Sequence, residues 1–315
     1  MRRLFVVVLL SLSVLLFTGC GDTGVGQPGS DSAAERYPMT VEDDLGRSVT
    51  IQGEPQRIVS LAPANTEILF ALGLGDKVVG VTDYCDYPAE AQNKDKVGDF
   101  YGPSVEKTIA LEPDIVFATG GVQAEVVQQL EDLGLVVVAL DPGNIEEVLE
   151  AIKLTGRMTG SSQQAEQMVQ DMEQRIEKVK ARLGNLQQSQ KPDVFVLVWI
   201  EEGKVFSAGP GTFVSSIVSI AGGNNVADDA QVEYPQYSVE KLMEKNPEVL
   251  VSTAHGYKDP EEVKKVLNLD DLKAVKDNRV YIVEDADLLT LPGPRIVDGI
   301  ELMAQFLHPD LFPSD

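Results

Sequence analysis

The chain has 315 residues, 43% of them apolar and 24% charged, which is enough for two compact lobes that each bury a core. Its 50 acids against 26 bases leave a formal charge of −24. That balance excludes a nucleic-acid partner, which needs a basic footprint, and repels anionic lipid headgroups, so any membrane attachment has to be covalent or hydrophobic.

The first element in chain order is such an attachment. Arg2 and Arg3 precede the apolar run LFVVVLLSLSVLLF, too short for a comfortable membrane span, and TGC follows. A basic start, an apolar stretch and small residues before a cysteine make residues 1–19 a secretory signal. The segment FTGC resembles the bacterial lipobox, with Phe17 where leucine is commoner, and the resemblance implies cleavage before Cys20 and acylation of its thiol. The other reading is an uncleaved membrane anchor. From Cys20 to residue 36 the chain is rich in Gly, Ser and Asp, cannot bury a core, and reads as a flexible tether. Cys85 is then the one remaining thiol; with Cys20 lipidated no intrachain disulfide forms, and a lone buried thiol behaves as a small hydrophobe.

Past the tether, TVEDDLGRSVTI alternates around Leu45-Gly46 and predicts a small hairpin. From Arg57 onward, short apolar runs alternate with helical patterns: RIVSL and NTEILFALG, KVVGV, SVEKTIAL and DIVFA, AEVVQQLEDLG and LVVVAL. Such alternation means parallel strands joined by crossover helices, so residues 37–160 form an α/β lobe. Between Ser161 and Gln188 the pattern becomes one long polar helix with Ala165, Met168, Val169, Met172, Ile176, Val179, Leu183 and Leu186 on a single stripe. It would run roughly 40 Å, far enough to cross between lobes. Alternation resumes after QQSQKP with DVFVLVWI, KVFSAG, GTFVSSIVSIAGG, EVLVS, DPEEVKKVL and RVYIVE, and closes with a helix from Pro294 to Leu307. Residues 189–315 are a second α/β lobe. The predicted fold is α/β, two lobes with mainly parallel sheets joined by one long helix, a stiffer connection than the extended strands of a soft hinge.

One segment is written twice. SVEKTIALEPDIVFA begins at Ser104 and SVEKLMEKNPEVLVS at Ser238, 134 residues later. Each is a short helix, an acidic or polar residue, Pro, an acid and a β-branched run, with Glu106 and Glu240 at the same step. Either glutamate alone reads as a first-turn acid favouring the helix dipole, worth roughly 0.3–1 kcal/mol. The duplication, one copy per lobe, points to a paired function.

Catalytic patterns are scarce. His255 and His308 have no Cys, His or carboxylate at metal-ligand spacing, and neither G-x-S-x-G nor a P-loop is present. GLGDKV at Gly73 lacks the third glycine of a dinucleotide fingerprint and reads as a helix C-cap. The run DADLL, residues 285–289, lacks the alternating ligands and turn glycine of a calcium loop. Aromatic residues are instead over-supplied in turns: Tyr84, Tyr87, Phe100 and Tyr101 in the first lobe, with Trp199 at a strand end and Tyr234 in a loop of the second. Aromatics in loops after strand ends mark a ligand face; the ordinary alternative is that some plug loops onto the core.

LAPANTEILFALG, VTDYCDYP, GDFYGPSVEKTIALEPDIV, AGPGTFVSSIVSIAGGNNVA and PGPRIVDGIELMAQFLHP together resemble the substrate-binding proteins of ABC importers for cobalamin, haem and iron-siderophore complexes. The resemblance spans about residues 37–312 and implies two α/β lobes on one long helix, with a small-molecule ligand between them. It also implies a monomer whose Glu106 and Glu240 dock onto arginines of a two-fold symmetric permease, itself coupled to an ATPase. Within the family the likeness is to the cobalamin-binding proteins. Tyr84 matches a pocket tyrosine, Phe100 and Tyr234 match pocket tryptophans, and Asp287 falls where an acid contacts the ligand; Tyr101 and Trp199 extend the aromatic set. Thr119 stands where that pattern has a further tryptophan and Leu291 where it has an arginine. The expected cargo is cobalamin or a related corrinoid, with no cofactor, no resident metal and no enzymatic step. Haem is the alternative, because Tyr84, Tyr101 and Tyr234 lie in cleft loops, whereas an anionic siderophore is poorly served by a chain whose Arg57, Arg279 and Arg295 look structural. A reading from another class is a corrinoid- or metal-dependent enzyme on the same two lobes, which would need Cys or His facing the cleft.

Overall fold

Two β-sheets linked by a long helix account for the strand-helix alternation in the computed structural model, which describes residues 37–184, 186–201 and 203–313. The signal run, the tether and Cys20 lie outside the described residues. Among those residues no helix is long and apolar enough to cross a membrane.

The predicted hairpin is β1 (Met39–Glu42) against β2 (Ser48–Ile51). Asp43 closes its turn by accepting the Arg47 N–H at 3.0 Å, and its other oxygen accepts the Ala139 N–H at 3.0 Å, tying the hairpin to the first lobe. That lobe runs β3 (Ile58–Ser60), α1 (Pro63–Ala71), β4 (Val78–Val81), β5 (Asp95–Lys96), α2 (Val105–Ala110), β6 (Ile115–Ala118), α3 (Ala124–Asp132), β7 (Val137–Ala139) and α4 (Ile145–Thr159). Its sheet has the order β5-β4-β3-β6-β7, and every pair is parallel. Helices cover both faces, which is why Ile115–Ala118 and Val137–Ala139 are continuous apolar runs and fully buried.

The connecting helix, α5, spans Ser162–Leu183, a rise of about 33 Å. Ala165, Val169, Met172, Ile176, Val179 and Leu183 form its buried stripe, with Met168 half-buried beside them. The helix stops short of the predicted Gln188. Gly184 takes a left-handed φ of +54°, its N–H closes on the Lys180 carbonyl, and Leu186 falls beyond the helical register.

The second lobe comprises β8 (Asp193–Glu201), β9 (Lys204–Ser207), α6 (Phe213–Ile220), β10 (Asn224–Asn225), β11 (Gln236–Tyr237), α7 (Val239–Lys245), β12 (Val249–Ser252), α8 (Pro260–Leu267), α9 (Lys273–Lys276), β13 (Val280–Ile282), α10 (Asp287–Thr290) and α11 (Ile296–Leu307). β8, β12 and β13 are parallel, β10 adds a short parallel pair to β8, and β9 and β11 make an antiparallel edge. The plan of the first lobe is thus repeated in its centre and varied at one side. α5 packs on α4 of the first lobe and on α6 and α11 of the second. Arg175 of α5 grips Glu301 with two hydrogen bonds, at 3.0 and 2.6 Å, and reaches Asp298 at 2.5 Å, fastening α5 to α11.

The duplicated segment is a duplicated module. Ser104 and Ser238 cap α2 and α7 by accepting the N–H of Lys107 and Lys241, each at 3.2 Å. The two copies turn at Glu112 (φ +47°) and Asn246 (φ +44°), just before proline, where the left-handed region ends a helix. Asp114 then accepts the Arg57 N–H at 2.9 Å, and Glu248 accepts the Asp193 N–H at 3.3 Å, so each acid binds the start of its lobe's first strand to the next one. β6 lies between β3 and β7, and β12 between β8 and β13. Arg57 and Arg279 are structural, as expected: their guanidinium groups donate to Leu111 and Leu307 carbonyls at the carboxyl ends of α2 and α11.

The α4–α5 crossing is close enough that a Cβ on Gly156 would sit 2.4 Å from the Ala165 Cβ and 3.1 Å from the Ser161 carbonyl. Helix propensity alone makes Gly→Ala stabilising by about 1 kcal/mol. Here overpacking outweighs it, and Gly156→Ala is expected to destabilise by about 1–3 kcal/mol in urea unfolding; a stabilised variant would mean that the crossing is looser than these distances.

Candidate binding cleft

In an open parallel sheet, ligands meet the loops beyond the carboxyl ends of the strands, and the aromatic residues marked in the sequence all lie there or next to it. After β4, residues 82–88 are held from below by Lys96, whose ammonium donates to the carbonyls of Thr82 at 3.3 Å and Cys85 at 3.2 Å. Cys85 is fully buried, its sulfur 3.2 Å from the Thr82 hydroxyl, and burial pushes the thiol up, so it is an inert plug. With Cys85 turned inward, Tyr84 is turned out and is 52% exposed. After β5, Asp99 accepts the Tyr101 N–H at 2.8 Å and Ser104 N–H returns to the Val97 carbonyl at 2.7 Å, closing a tight loop that presents Phe100 and Tyr101. Tyr84, Phe100 and Tyr101 form one group, with centroids 5.0 to 6.2 Å apart and rings meeting mainly edge to face.

A residue that the sequence did not betray supports this group. Gln123 is fully buried after β6, where its amide donates to the carbonyls of Leu61 at 2.9 Å and Phe100 at 2.7 Å and accepts the Thr119 N–H at 3.0 Å. Its partners are up to 62 positions away in the chain, so no local pattern could announce it. Thr119 is itself engaged, its hydroxyl donating to Asp141 at 2.7 Å, and Leu291 ends α10 half-buried.

In the second lobe the pairing of β8 with β9 slips between Leu197 and Trp199, and this irregularity sets Trp199 opposite Phe206. The two rings stack at 4.5 Å and 17°, and Tyr234 lies 5.8 Å from Trp199. Phe206 was hidden in the sequence as an ordinary strand residue of KVFSAG. Tyr234 is carried by a segment tied back through the Gly209 N–H to the Glu233 carbonyl at 2.6 Å and the Ser207 N–H to the Pro235 carbonyl at 3.1 Å. Burial first, then the Glu233 charge, pushes its phenol up, so it is a neutral contact.

Between the lobes lies a polar group. Asp287 opens α10 half-buried; burial pushes its carboxyl up, the charges of Asp285 and Asp86 add to that, and Arg295 and His255 oppose it. Asp86 belongs to the first lobe, so Asp287 sits where the lobes approach. Arg295 is not a free cation. It donates to Glu67 of α1 at 2.5 and 3.0 Å, pairs with Asp285, stands 3.8 Å from Asp287 and lies 3.8 Å over the Tyr87 ring. Among the described residues no cluster of three or more metal-ligating side chains occurs.

Glu106 and Glu240 are both exposed. A helix leading into the amino end of a parallel strand starts at the opposite edge of the sheet, so α2 and α7 both begin on the edge that carries the aromatic loops. Lys241 pairs with Glu244 rather than Glu240, and Glu240 is held below the usual carboxylate range by its own N–H and the Ser238 hydroxyl.

Two α/β lobes on a helical strut, with aromatic groups flanking their junction, define a solute-binding protein. The description periplasmic binding protein fits residues 58–286 as a family match. A Bacillus subtilis protein, named uncharacterized ABC transporter substrate-binding lipoprotein YvrC, is 34% identical over 316 residues, 99% of each chain. The crystal structure of the periplasmic vitamin B12 binding protein BtuF of Vibrio cholerae is similar with a TM-score of 0.68 at 28% identity, covering 80% of this chain and 96% of that one. A periplasmic heme binding protein from Pseudomonas aeruginosa gives 0.71 at 28% identity, covering 81% and 93%. The chain belongs to the periplasmic binding protein family, and is a binding protein and not an enzyme.

Removing the Gln123 side chain strands the Phe100 carbonyl and the Thr119 N–H and leaves the Leu61 carbonyl with the Thr82 hydroxyl alone, at 3.3 Å. Gln123→Ala should cost about 2–4 kcal/mol in chemical denaturation and loosen the Phe100 loop, seen as faster amide exchange at residues 98–103; unchanged exchange there would remove its bracing role. Asp287 has a raised folded-state ionisation, so the fold loses stability as pH rises from the ordinary aspartate value through the raised one. Asp287→Asn should therefore melt above wild type at pH 7 and match it near about pH 3; the opposite order at pH 7 would mean that the charge is welcome where it sits.

Proposed function

We propose that the chain is the substrate-binding component of an ABC importer, held outside the cell membrane by lipid on Cys20, and that its cargo is a corrinoid such as cobalamin. The observation that carries the reading is the pair of aromatic groups, Tyr84–Phe100–Tyr101 in one lobe and Trp199–Phe206–Tyr234 in the other, in which exposed Tyr84, Tyr101, Trp199 and Tyr234 pack on half-buried Phe100 and Phe206. A corrin is a broad apolar plate rimmed by neutral amides. Flat side chains with few rotors offer area to such a plate at little ordering cost. The amide rim needs no cation, which suits a junction whose Arg295 is committed to Glu67 and Asp285. Several relatives are named vitamin B12-binding proteins, which supports a corrinoid, and some similar solved structures are named for haem.

Haem is the second reading, favoured by the exposed phenols of Tyr84, Tyr101 and Tyr234 as iron ligands but disfavoured by the absence of a spare guanidinium for propionates among the residues around Asp287. Anchoring at Cys20 is supported by the lipobox-like FTGC and by the lipoprotein name of the Bacillus relative. Delivery is assigned to Glu106 and Glu240, exposed carboxylates on equivalent capped helices of the two lobes. Two bidentate carboxylate–arginine contacts engaged together on a symmetric permease fix orientation, and their joint effective concentration makes modest contacts firm yet reversible.

Titration with cyanocobalamin, haemin and a neutral ferric siderophore tests the cargo. Cyanocobalamin should bind with Kd below about 1 μM, and Trp199→Ala or Tyr84→Ala should each weaken it about tenfold or more; tighter haemin binding would hand the assignment to haem. Glu106→Arg with Glu240→Arg should leave that affinity intact and abolish uptake by cells. Normal uptake in the double variant would overturn the docking role.

A further inference from the structure

Among the described residues, the hydrogen bonds that pass directly between residues 37–160 and residues 189–313 converge on one pair, Glu67 and Arg295. Both side chains are shielded from water, with relative exposures of 3% and 14%. The guanidinium delivers Nε and Nη2 to a single Glu67 oxygen, gives Nη1 to Asp285 of its own lobe, and lays its face on Tyr87 of the other. Gly293 lies close to the pair: a Cβ there would stand 3.0 Å from the second Glu67 oxygen, so the second-lobe backbone approaches the Glu67 carboxylate closely at this position.

We propose that Arg295 is a positioning residue, a latch that fixes the separation of the two lobes and with it the spacing of the aromatic groups and of Glu106 and Glu240. α5 joins the lobes at one place, through α4 on one side and α6 and α11 on the other. A single helical strut restrains translation better than rotation about its own axis. Arg295 supplies a second point of attachment, reaching α1 and the Tyr87 loop together. The latch is charge-dependent: burial pushes the Glu67 carboxyl up and Arg295 opposes it, while Asp285 and Asp287 crowd the same cation. Loss of the guanidinium leaves three carboxylates facing one another across the junction. The lobes then part or Glu67 takes up a proton.

The inference rests on the proposed function only for its consequence in docking, and its test needs no ligand. Spin labels at Glu106→Cys and Glu240→Cys, in full-length protein with Cys20→Ser and with buried Cys85 left in place, report the lobe separation by pulsed dipolar spectroscopy. A single narrow distance distribution is expected in the parent. Arg295→Met and Glu67→Gln should broaden it, and Arg295→Lys, which keeps the charge and loses the fork, should fall between. Unchanged widths in these variants, whatever their melting temperatures, overturn the latch. Glu67→Gln preserves the side-chain volume and an accepting oxygen, so it decides the matter if Arg295→Met does not fold. On cyanocobalamin affinity, Glu67→Gln should cost about tenfold and the double variant with Arg295→Met no more than the worse single change. Absence of cyanocobalamin binding by the parent protein would sink the cargo assignment, while the distance distributions would still judge the latch.

Discussion

One apolar stripe on α5 has to serve two cores at once. Ala165, Val169, Met172, Ile176, Val179 and Leu183 belong to the same continuous hydrophobic cluster as Ile58 and Phe117 of the first lobe and Val194 and Val251 of the second. Burying each such aliphatic side chain is worth roughly 1.5–3 kcal/mol, so the helix cannot swing away from either lobe without exposing part of a shared core. That constraint explains the rest of the architecture. The solvent side of α5 is left polar, Arg175 reinforces its contact with α11, and Gly156 and Gly222 give room where α5 approaches α4 and where its end meets the second lobe.

A frame so stiff allows the loops beyond the strand ends to carry aromatics that are poorly covered by protein. Exposed rings on mobile loops would collapse onto the core, and here polar brackets under the loops hold them as two packed groups instead. Lys96 holds the Tyr84 turn by its carbonyls, Gln123 holds Phe100 by its carbonyl, and the slipped β8–β9 pairing aims Trp199. The aromatic faces are therefore arranged by the protein itself, and on the proposed function that lowers the ordering cost of binding. The polar residues between the lobes follow the same logic, with a guanidinium fully occupied by carboxylates and Tyr87, and Asp287 left with acceptor capacity facing the junction.

The repeated module shows how one segment serves structure and presentation together. A serine cap, a left-handed turn before proline, and an acid that ties two neighbouring strands are all needed to start and stop a short helix at one edge of a sheet. The glutamate two residues after the cap adds little to that task, since each helix is already capped by its serine. Its exposure in both copies leaves it available to a partner.

The two-lobe α/β plan, the long helix and the aromatic loops were legible in the amino-acid order because each depends on local periodicity or on residue types in turns. Strand runs that are buried on both faces, such as DIVFA and EVLVS, announce parallel sheets; the three-and-four spacing from Ala165 to Leu183 announces one helical face. Other features were illegible because they rest on contacts that exist only after folding, between residues far apart in the chain or across a strand register that the sequence does not display. Gln123 looks like a loop polar residue until Leu61 and Phe100 close around it, Phe206 like a strand residue until the register slip brings Trp199 over it, and Arg295 like one more structural arginine until α1 presents Glu67. The end of α5 at Leu183 was decided by the positive φ at Gly184, which the apolar spacing of Leu186 outvoted in the sequence. Periodicity therefore settled which elements exist, and packing settled which polar groups hold the aromatic loops in place.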